Sequence, residues 1–343
     1  MFSLGDLRVP IVAAPMAGGP STPELVAAVA DAGGFGFLAA GYRTPDGLAE
    51  QISQTRRLTE RPFGVNVFVP EPPGPDDRAL ADEVAVYARR LAPVAARFGS
   101  GLGTPVPSDD DWAAKLDVLA DDPVPVVSFT FGLPPVAIVD RLHGVGTAVW
   151  ATVVSADDAE SAAARGVDAL VLQGHQAGGH RGTFRASDDP PATDTLDLLD
   201  HVAARTPLPL VAAGGVSSPD AVGAALRRGT SAVQAGTAFL LADEAGTSAT
   251  HRAALRNPAF TETVITRAFS GRPARGLRNR FADEFAADAP AAYPAVNQLT
   301  GPLKKASSAA GDPQWTHLWA GTSWRQAHAG GAAEIVRLLS GSS

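Results

Sequence analysis

Short apolar runs rich in β-branched residues alternate with Ala-rich stretches of mixed polarity from the N-terminus to about residue 245. An apolar run of about four to eight residues is typical of a strand buried on both faces, whereas apolar positions repeating every three or four residues indicate a helix. Eight strands are predicted in this way, at residues 9–16, 34–39, 62–69, 124–132, 146–154, 167–174, 208–216 and 230–239. Helices are predicted between them, beginning at Ser21 and at residues 45–58, 134–143, 156–165, 193–205 and 218–228.

The regular alternation of strand and helix predicts the fold class. Near-continuous apolar strands, each followed by a helix, indicate a parallel sheet covered by helices, which is an α/β architecture. Eight such units favour a closed (β/α)8 TIM barrel over an open sheet. The sequence contains no strand followed by GxGxxG and a helix, and "GSGLGT" at residues 99–104 follows a helix, so it is interpreted as a loop.

Two segments depart from the alternation. Residues 70–122 begin with "PEPPGPDD" and contain two predicted helices, near 77–98 and 109–120, which indicates an insertion after strand 3, above the strand ends. Residues 246–327 are rich in Arg, Pro and Trp and are expected to form a smaller C-terminal lid or substrate subdomain over the barrel mouth. The barrel is therefore assigned to residues 1–245 and is closed by a C-terminal helix within residues 328–343.

Composition narrows the possible functions. The chain has 343 residues, 45% of them hydrophobic, and a formal net charge of −8, which disfavours a nucleic-acid or anionic-membrane surface. It has no cysteine, so disulfides, thiolate nucleophiles and Cys-based metal sites are excluded. The N-terminus does not resemble a signal peptide, and no apolar run approaches the ~20 residues of a membrane span. A cytoplasmic monomer or homodimer acting on a small molecule is expected.

Glycine-rich turns follow the last two predicted strands. The segments "AAGGVSSPD" and "QAGT" place backbone N–H groups before helix starts, an arrangement that binds phosphate. A tight βα turn is the alternative for either one alone, but these are the two loops where barrel enzymes commonly hold a phosphate. The candidate phosphate-binding residues are Gly214, Gly215, Gln234, Ala235, Gly236 and Thr237.

The other strand ends, where a barrel enzyme builds its active site, carry few ionisable groups. They offer apolar side chains at Met16, Phe129 and Phe131 and neutral amides at Asn66 and Gln173. Neutral donors and acceptors around an apolar slot suit a flat heteroaromatic ring such as an isoalloxazine. Together with the phosphate turns, this pattern predicts FMN as the cofactor.

The segment "QGHQAGGHRG" carries two histidines at the end of the sixth predicted strand. His175 and His180 are five residues apart, which is not the spacing of a zinc-binding helix, and no acidic residue lies between them, so no metal site is predicted. Gly178 and Gly179 would let the backbone approach a planar ligand, with His180 over it as a base for a carbon acid. A purely structural hydrogen bond is the alternative for His180 and the preferred interpretation for His175.

Arginines and tryptophans cluster near the C-terminus. The segment "SGRPARGLRNRF" at residues 270–281 has four arginines without interleaved aromatic residues, so it is interpreted as a lid element that forms salt bridges with the barrel. Trp315, Trp319 and Trp324 are expected to form the core of the lid. Arg181, in the histidine loop, is interpreted as a clamp or an ion-pair partner.

Seven segments, taken in order, resemble the nitronate monooxygenases, formerly called 2-nitropropane dioxygenases. These are "APM", "FGVNVFVP", "VLQGHQAGGHRGTF", "AAGGV", "QAGTAFL", "SGRPARGLRNRF" and "YPAVNQLTGPLKKA", and they extend over nearly the whole chain. The resemblance implies an FMN-containing barrel that oxidises alkyl nitronates, including propionate 3-nitronate, with O2 to a carbonyl compound and nitrite. An NAD(P)H-dependent flavin reductase of the same barrel superfamily, acting on an enoyl thioester or a quinone, and a catalytically idle binding protein are the alternatives.

The resemblance also implies residue roles. His180 would be the catalytic base toward a neutral nitroalkane, or an imidazolium that binds a nitronate. Tyr293 would contact substrate, and Phe129 and Phe131, identified above at a strand end, are predicted to do so as well. Together with Gly179 and Gly214 from the two glycine-rich loops, the predicted cofactor-binding set is Ala14, Pro15, Met16, Asn66, Gln173, Gly178, Gly179, Gly214, Gly215, Gln234, Ala235, Gly236 and Thr237. Gln176 stands where the family usually has Glu, and Asn297 where some members carry an aromatic residue, and these departures bear on the choice of substrate more than on the cofactor.

Overall fold

The computed structural model describes residues 1–72, 74 and 77–341. The start of the expected insertion, at residues 73, 75 and 76, and the last two residues of the expected closing segment lie outside this part of the chain.

Eight parallel strands form a closed barrel, which confirms the predicted fold. They are β1 (Ile11–Ala13), β2 (Phe35–Ala39), β3 (Gly64–Phe68), β4 (Val126–Thr130), β5 (Ala148–Val153), β6 (Ala169–Gln173), β8 (Leu210–Ala213) and β9 (Ala232–Ala235). The barrel closes where β1 pairs with β9, with Ile11 opposite Val233. Several strands are shorter than predicted because the apolar residues after them belong to the loops at the barrel mouth.

The helices of the barrel and of the insertion follow the prediction closely, whereas those between residues 249 and 309 lie in the C-terminal region, for which no individual elements were predicted. They are α1 (Pro23–Asp31), α2 (Pro45–Leu58), α3 (Asp77–Arg97), α4 (Trp112–Asp121), α5 (Val136–Gly144), α6 (Ala156–Ala163), α7 (Thr195–Ala203), α8 (Pro219–Arg227), α9 (Ala249–Arg256), α10 (Arg280–Phe285), α11 (Ala295–Ala309) and α12 (Ala332–Ser340). Three of them start at a Ser or Thr cap followed by Pro, because the cap oxygen satisfies a free N–H and Pro supplies a helical φ. These caps are Thr22, Thr44 and Ser218.

Aromatic side chains fill the N-terminal half of the barrel interior. Phe35 and Phe37 on β2 point inward, and Phe35 stacks on Trp150 of β5 with ring centroids 5.7 Å apart. Phe2 covers this cluster, with its ring 4.7 Å from Phe35. The interior is therefore packed at this end, and open space is left at the carboxyl ends of the strands.

A three-stranded antiparallel sheet joins the barrel to the C-terminal region. It consists of β10 (Thr263–Thr266), β11 (Ala274–Leu277) and β7 (Gly179–His180), in the order β10–β11–β7. Strand β7 belongs to the loop after β6, so the histidine loop of the barrel supplies an edge of this sheet. His180 pairs with Ala274, and Gly179 pairs with Arg275.

The two helices of the expected insertion have different surroundings. Helix α3 shares a hydrophobic core with α10 and α11, in which Tyr87 and Leu91 pack with Phe281 and Leu303. Helix α4 packs on the barrel between α2 and α5, where Leu116 joins the core outside the strands. The insertion thus contributes one helix to each part of the molecule. The division at residues 245 and 327 stays a prediction.

Helix α12 closes the barrel on the side of its first strand. Its apolar residues Ile335, Val336 and Leu339 pack in one cluster with residues of α1 and α8. Among the described residues, no helix is both long and apolar enough to cross a membrane.

Candidate active site

A cavity of about 730 Å³ lies at the carboxyl ends of the barrel strands and extends toward α9 and α11. Its volume is within the range of about 300–1,000 Å³ that small-molecule and cofactor sites occupy. Most of the site residues expected from the sequence line it: Ala14, Pro15, Met16, Asn66, Phe131, Gln173, Gly178, Gly179, His180, Gly214, Gly215, Gln234, Ala235, Gly236 and Thr237.

The expectation that Phe129 contacts substrate is wrong. Its side chain is completely buried on the outer, helix-facing side of β4, where its ring packs 5.7 Å from Trp112. Successive side chains on a strand point to opposite faces, so Phe129 cannot face the cavity when Ser128 and Thr130 point inward toward Asn66. Phe131, two residues further, lines the cavity, and Tyr293 touches its ring at 5.6 Å.

The turn after β8 exposes backbone donors to the cavity. Gly214 and Gly215 adopt φ values of 112° and 72°, which side chains rarely tolerate. A Cβ on Gly214 would lie 2.9 Å from the backbone nitrogen of Ala177. Within the described part of the chain, the N–H groups of Gly214, Gly215, Val216 and Gly236 have no protein acceptor. Such a group of free N–H donors at neighbouring turns can hold an anion.

The histidine loop is fastened by its own polar side chains. The Gln173 amide donates from Nε2 to the His180 carbonyl at 3.0 Å and accepts at Oε1 from the Gly182 N–H at 2.8 Å. Arg181 is 1% exposed and donates to the carbonyl oxygens of Gly174 and Gln173 at 2.8 and 3.2 Å. Arg181 is thus the clamp expected from the sequence, and much of the hydrogen-bonding capacity of Gln173 is used inside the protein.

Gly178 has a packing role that the sequence did not reveal. A Cβ at this position would lie 2.4 Å from the backbone nitrogen of Gly321, which lies between Trp319 and Trp324 in the tryptophan-rich segment. Gly179 has a φ of 75°, and nothing lies within 4 Å of its Cβ position. The first glycine therefore allows close approach of two loops, and the second allows the turn that brings His180 over the cavity.

The two unusual residues of the loop serve as contacts within the protein. The Oε1 atom of Gln176 accepts hydrogen bonds from the N–H and the hydroxyl of Thr195, both at 3.0 Å, at the start of α7. An amide oxygen can accept these bonds as a carboxylate would. The Arg275 guanidinium donates to the His175 carbonyl at 3.1 Å and contacts its ring. Burial first, and then the charges of Arg275 and Arg181, lower the pKa of His175.

His180 is surrounded by aromatic rings and by cations. Its ring lies 5.3 Å from Trp319, 5.8 Å from Phe131 and 5.9 Å from Tyr293. Its Nε2 atom lies 2.8 Å from the Ser270 hydroxyl oxygen. Burial lowers the pKa of His180 to about 3, with further contributions from the charges of Arg272 and Lys304. His180 is consequently a neutral imidazole at pH 7.

The tautomer of His180 follows from its partner. The Ser270 hydroxyl lies 3.2 Å from the Arg272 carbonyl oxygen, to which it donates. Because that bond uses the only hydroxyl hydrogen, His180 is assigned as the donor to Ser270 through Nε2–H. The lone pair then resides on Nδ1, which has no hydrogen-bond partner among the described residues. This nitrogen is free to accept a proton.

Asn66 presents an acceptor to the cavity. It is 2% exposed, and its Nδ2 donates to the Ser128 hydroxyl and the Thr130 hydroxyl at 2.9 and 3.0 Å. These bonds fix the amide so that Oδ1 has no donor within the described chain. Because Asn66 lines the cavity, this oxygen is suited to accept a hydrogen bond from an N–H of a bound ligand.

Lys304 is a cavity residue that sequence reasoning missed. Its Nζ donates to Asn297 Oδ1 at 2.7 Å and to the Phe269 carbonyl at 3.2 Å. Burial lowers the pKa of Lys304 to about 7. Among the described residues that line the cavity, none is Asp or Glu. The spacing of Asn297, Gly301, Lys304 and Ser308 along one face of α11 was the available signal.

Aromatic residues from distant parts of the chain form one wall of the cavity. Phe68 lies 4.5 Å from Phe131 and 5.6 Å from Tyr42. The Arg272 guanidinium stacks over Phe131 at 4.2 Å. Trp319 lines the cavity beside His180. Tyr42, Phe68 and Trp319 were missed because nothing in their local sequence distinguishes them from ordinary core residues.

The expectations for the C-terminal clusters hold in part. Arg272 forms an ion pair with Glu71, which follows β3, at 3.4 Å, and so bridges the two parts of the molecule as expected. Arg278 and Arg280 pair with acidic residues of their own region instead, because α10 and the segment before β10 supply nearer carboxylates. Trp315 and Trp324 are buried core residues, whereas Trp319 is a cavity residue.

Comparison with known proteins gives concordant results. Residues 4–341 match the nitronate monooxygenase family. A probable nitronate monooxygenase of Staphylococcus saprophyticus is 36% identical over 328 residues, which are 93% of this chain and 90% of that protein. The crystal structure of a nitroalkane oxidase from Streptomyces ansochromogenes is 47% identical, with a TM-score of 0.94 over 98% of this chain and 96% of that one. FabK of Thermotoga maritima is 25% identical, with a TM-score of 0.75 over 98% and 93% of the two chains.

Proposed function

Because the chain belongs to the nitronate monooxygenase family and is an oxidoreductase, we propose that it oxidises alkyl nitronates, such as propionate 3-nitronate, with FMN and O2. The products are a carbonyl compound and nitrite. The observation that carries the proposal is a cavity that combines free backbone donors, a proton-accepting histidine and a half-buried lysine, with no carboxylate among its described lining residues.

The charge of the cavity favours an anionic substrate. Lys304 is half-buried in the cavity wall, and its hydrogen-bond acceptors are uncharged carbonyl groups. A cation that is partly removed from water and has no acidic partner attracts an anion, because its charge is screened less than on the surface. A nitronate carries one negative charge, whereas the parent nitroalkane carries none. Binding of the nitronate would therefore compensate the charge of Lys304.

The residues of the cavity also fit FMN. The free N–H groups of Gly214, Gly215, Val216 and Gly236 would hold its phosphate, and the Oδ1 atom of Asn66 would accept from the flavin ring. Met16 and Ala14 border the same space with apolar atoms. When bound, FMN supplies the oxidation of the substrate and the reaction with O2.

His180 has a defined role for the neutral substrate. Its Nδ1 atom would take the α-proton of a nitroalkane, and the resulting imidazolium would keep the Nε2–H bond to Ser270. The strongly lowered pKa of His180 argues against an imidazolium in the resting protein. A nitronate needs no proton transfer, so His180 would then contribute position and shape, and Lys304 the positive charge.

The visible spectrum and the consumption of O2 test this function. We expect the purified protein to carry a flavin that absorbs near ~450 nm. With propionate 3-nitronate it should consume O2 and release nitrite, and it should be indifferent to NADH. A colourless protein that FMN cannot reconstitute would contradict the proposal. Rapid anaerobic bleaching of the flavin by NADH would favour a reductase instead.

A further inference from the structure

Left-handed backbone conformations concentrate beside the aromatic wall of the cavity. Four residues other than glycine have positive φ within the described chain: Tyr42 at 67°, Asp110 at 59°, Asp111 at 54° and Phe131 at 75°. Tyr42 follows β2, Phe131 follows β4, and the two aspartates precede α4. Such a conformation is costly for Tyr and Phe and persists there only where the surrounding structure fixes it, whereas Asp adopts it more readily.

Asp110 connects the segment that precedes α4 with the loop that follows β2. Its Oδ1 atom accepts a hydrogen bond from the Tyr42 N–H at 3.0 Å, and its Oδ2 atom lies 2.7 Å from Lys115 Nζ. The Lys115 side chain is completely buried. A buried ion pair contributes little to net stability, since desolvation offsets the attraction of the two charges. The pair is therefore better explained by what Asp110 holds, which is the backbone of Tyr42.

The hydroxyl of Tyr42 is available to a ligand. Tyr42 lines the cavity and remains 41% exposed. Its oxygen accepts from the Tyr293 hydroxyl at 3.2 Å, and its own hydrogen has no acceptor among the described residues. The Tyr293 ring in turn lies 5.9 Å from His180. Tyr42 thus offers an O–H donor in the same aromatic group that surrounds the proposed base.

We propose that Asp110, anchored by Lys115, is a positioning residue that fixes Tyr42, and that the Tyr42 hydroxyl donates a hydrogen bond to an oxygen of the substrate's nitro or nitronate group. The identity of this ligand rests on the proposed function, whereas the positioning of Tyr42 by Asp110 does not. The insertion between β3 and β4 would in this way reach the substrate through a single carboxylate.

Fluorine NMR can test the positioning without any assay of activity. The chain has three tyrosines, so protein labelled with 3-fluorotyrosine gives few resonances, and Y42F identifies the one of interest. The variants D110A/K115M and D110N/K115M both remove the buried charges, but only the second keeps an oxygen that can accept from the Tyr42 N–H. We expect the Tyr42 resonance to move or broaden in the first and to stay near its original position in the second. Equal spectra for these two variants would overturn the positioning role.

The contact with substrate is tested by kinetics and by the same resonance. A hydrogen bond to a charged oxygen predicts that Y42F raises the KM for propionate 3-nitronate about tenfold, with unchanged affinity for FMN. The double variant D110A/K115M should raise the KM by a similar factor, and adding Y42F to it should raise the KM no further. The control D111N, which changes the neighbouring carboxylate, should leave the KM unchanged. The contact is overturned if Y42F leaves the KM unchanged, or if the Tyr42 resonance of the wild-type protein does not respond to the nitronate.

Absence of turnover in the wild-type protein would instead contradict the proposed function. The NMR comparison would still decide the role of Asp110.

Discussion

Single buried groups determine the charge state of the cavity. His180 and Lys304 both have pKa values lowered chiefly by burial, to about 3 and about 7. Both effects favour the neutral form, because removal from water penalises the charged one. At pH 7 the histidine is neutral, and the lysine is near its midpoint. The two residues therefore change protonation in different pH ranges. His180 is proposed to act on a neutral nitroalkane, and Lys304 to bind a nitronate.

Substitution of His180 by Asn should separate proton abstraction from oxidation. General-base catalysis contributes about 100-fold or more to such a step, so we expect kcat/KM for a neutral nitroalkane to fall by at least that factor. The rate with the corresponding nitronate should change much less, because its α-proton is already gone. O2 consumption with the two substrates measures both values, and H175N is the control. Equal losses on both substrates would exclude a role as base.

Substitution of Lys304 by Met should weaken binding of the anion. We expect the KM for a nitronate to rise about tenfold, as for loss of a charge-assisted interaction, while the KM for a neutral nitroalkane stays nearly constant. In the wild type the KM for the nitronate should rise as the pH increases through about 7, the pKa of Lys304, since the ammonium loses its charge there. K305M removes the other lysine that lines the cavity, whose side chain is exposed, and is the comparison for Lys304. A similar KM change in K305M would show that binding of the anion is not specific to Lys304.

At the scale of elements, the strands and helices were predictable, and the mouth of the barrel only partly. Apolar runs and cap residues are local signals, so α2 begins and ends where the sequence predicted, at Pro45 and Leu58. The pairing of β7 with β11 joins residues about ninety positions apart. It could not be predicted, because β7 has only two residues and so shows no alternation of apolar and polar positions. The two glycines after β8 could be identified as a turn from the sequence, because a positive φ favours glycine at each single position where it occurs.

The glycine turn after β8 should affect the cofactor and the fold separately. G215A places a side chain at a φ of 72° beside the free donors, and G229A does so at a φ of 89° away from the cavity. Each should cost roughly 1–3 kcal/mol of stability through backbone strain. Only G215A should also weaken FMN binding, by about tenfold or more, because the donors move. Titration of apoprotein with FMN, followed by flavin fluorescence, compares them. Equal affinities would remove this turn from the phosphate site.

At the scale of the whole molecule, the site depends on contacts that no local pattern contains. Tyr42 lies near the start of the chain, whereas Lys304 and Trp319 belong to its C-terminal region. These residues line one cavity only after folding. Phe129 was misassigned because it lies within β4 on the outer face, whereas Phe131 reaches the cavity only because the chain leaves the strand after Thr130 and turns with a positive φ at Phe131. The periodicity of the sequence was sufficient to predict the barrel. Which side chains point into the cavity could be determined only from the structure.

Buried histidines should make stability depend on pH. Burial lowers the pKa of His180 to about 3 and of His251 to about 4, from 6.5, and that of His317 well below 6.5. Between these values and 6.5 the unfolded chain binds more protons than the folded one, so stability falls as pH decreases. The slope is about 1.4 kcal/mol per pH unit for each such histidine. Urea unfolding at pH 7.5, 6 and 5 measures it.

The variant H251N should make this dependence shallower by the contribution of one histidine. H201N, which removes an exposed histidine of α7, is the matched control and should leave the slope unchanged. The comparison uses slopes, so a general loss of stability in H251N does not affect it. A wild-type stability that is constant from pH 7.5 to 5 would contradict the neutral, buried state of these side chains.

The sheet shared by β7 and β11 has a consequence for how the molecule can be taken apart. The histidine loop begins on the last residue of β6, yet His180 is hydrogen-bonded into a sheet whose other strands belong to the C-terminal region. The barrel and this region are therefore not interchangeable modules. A chimera that exchanged the region for that of a relative would also replace the strand that orients the base.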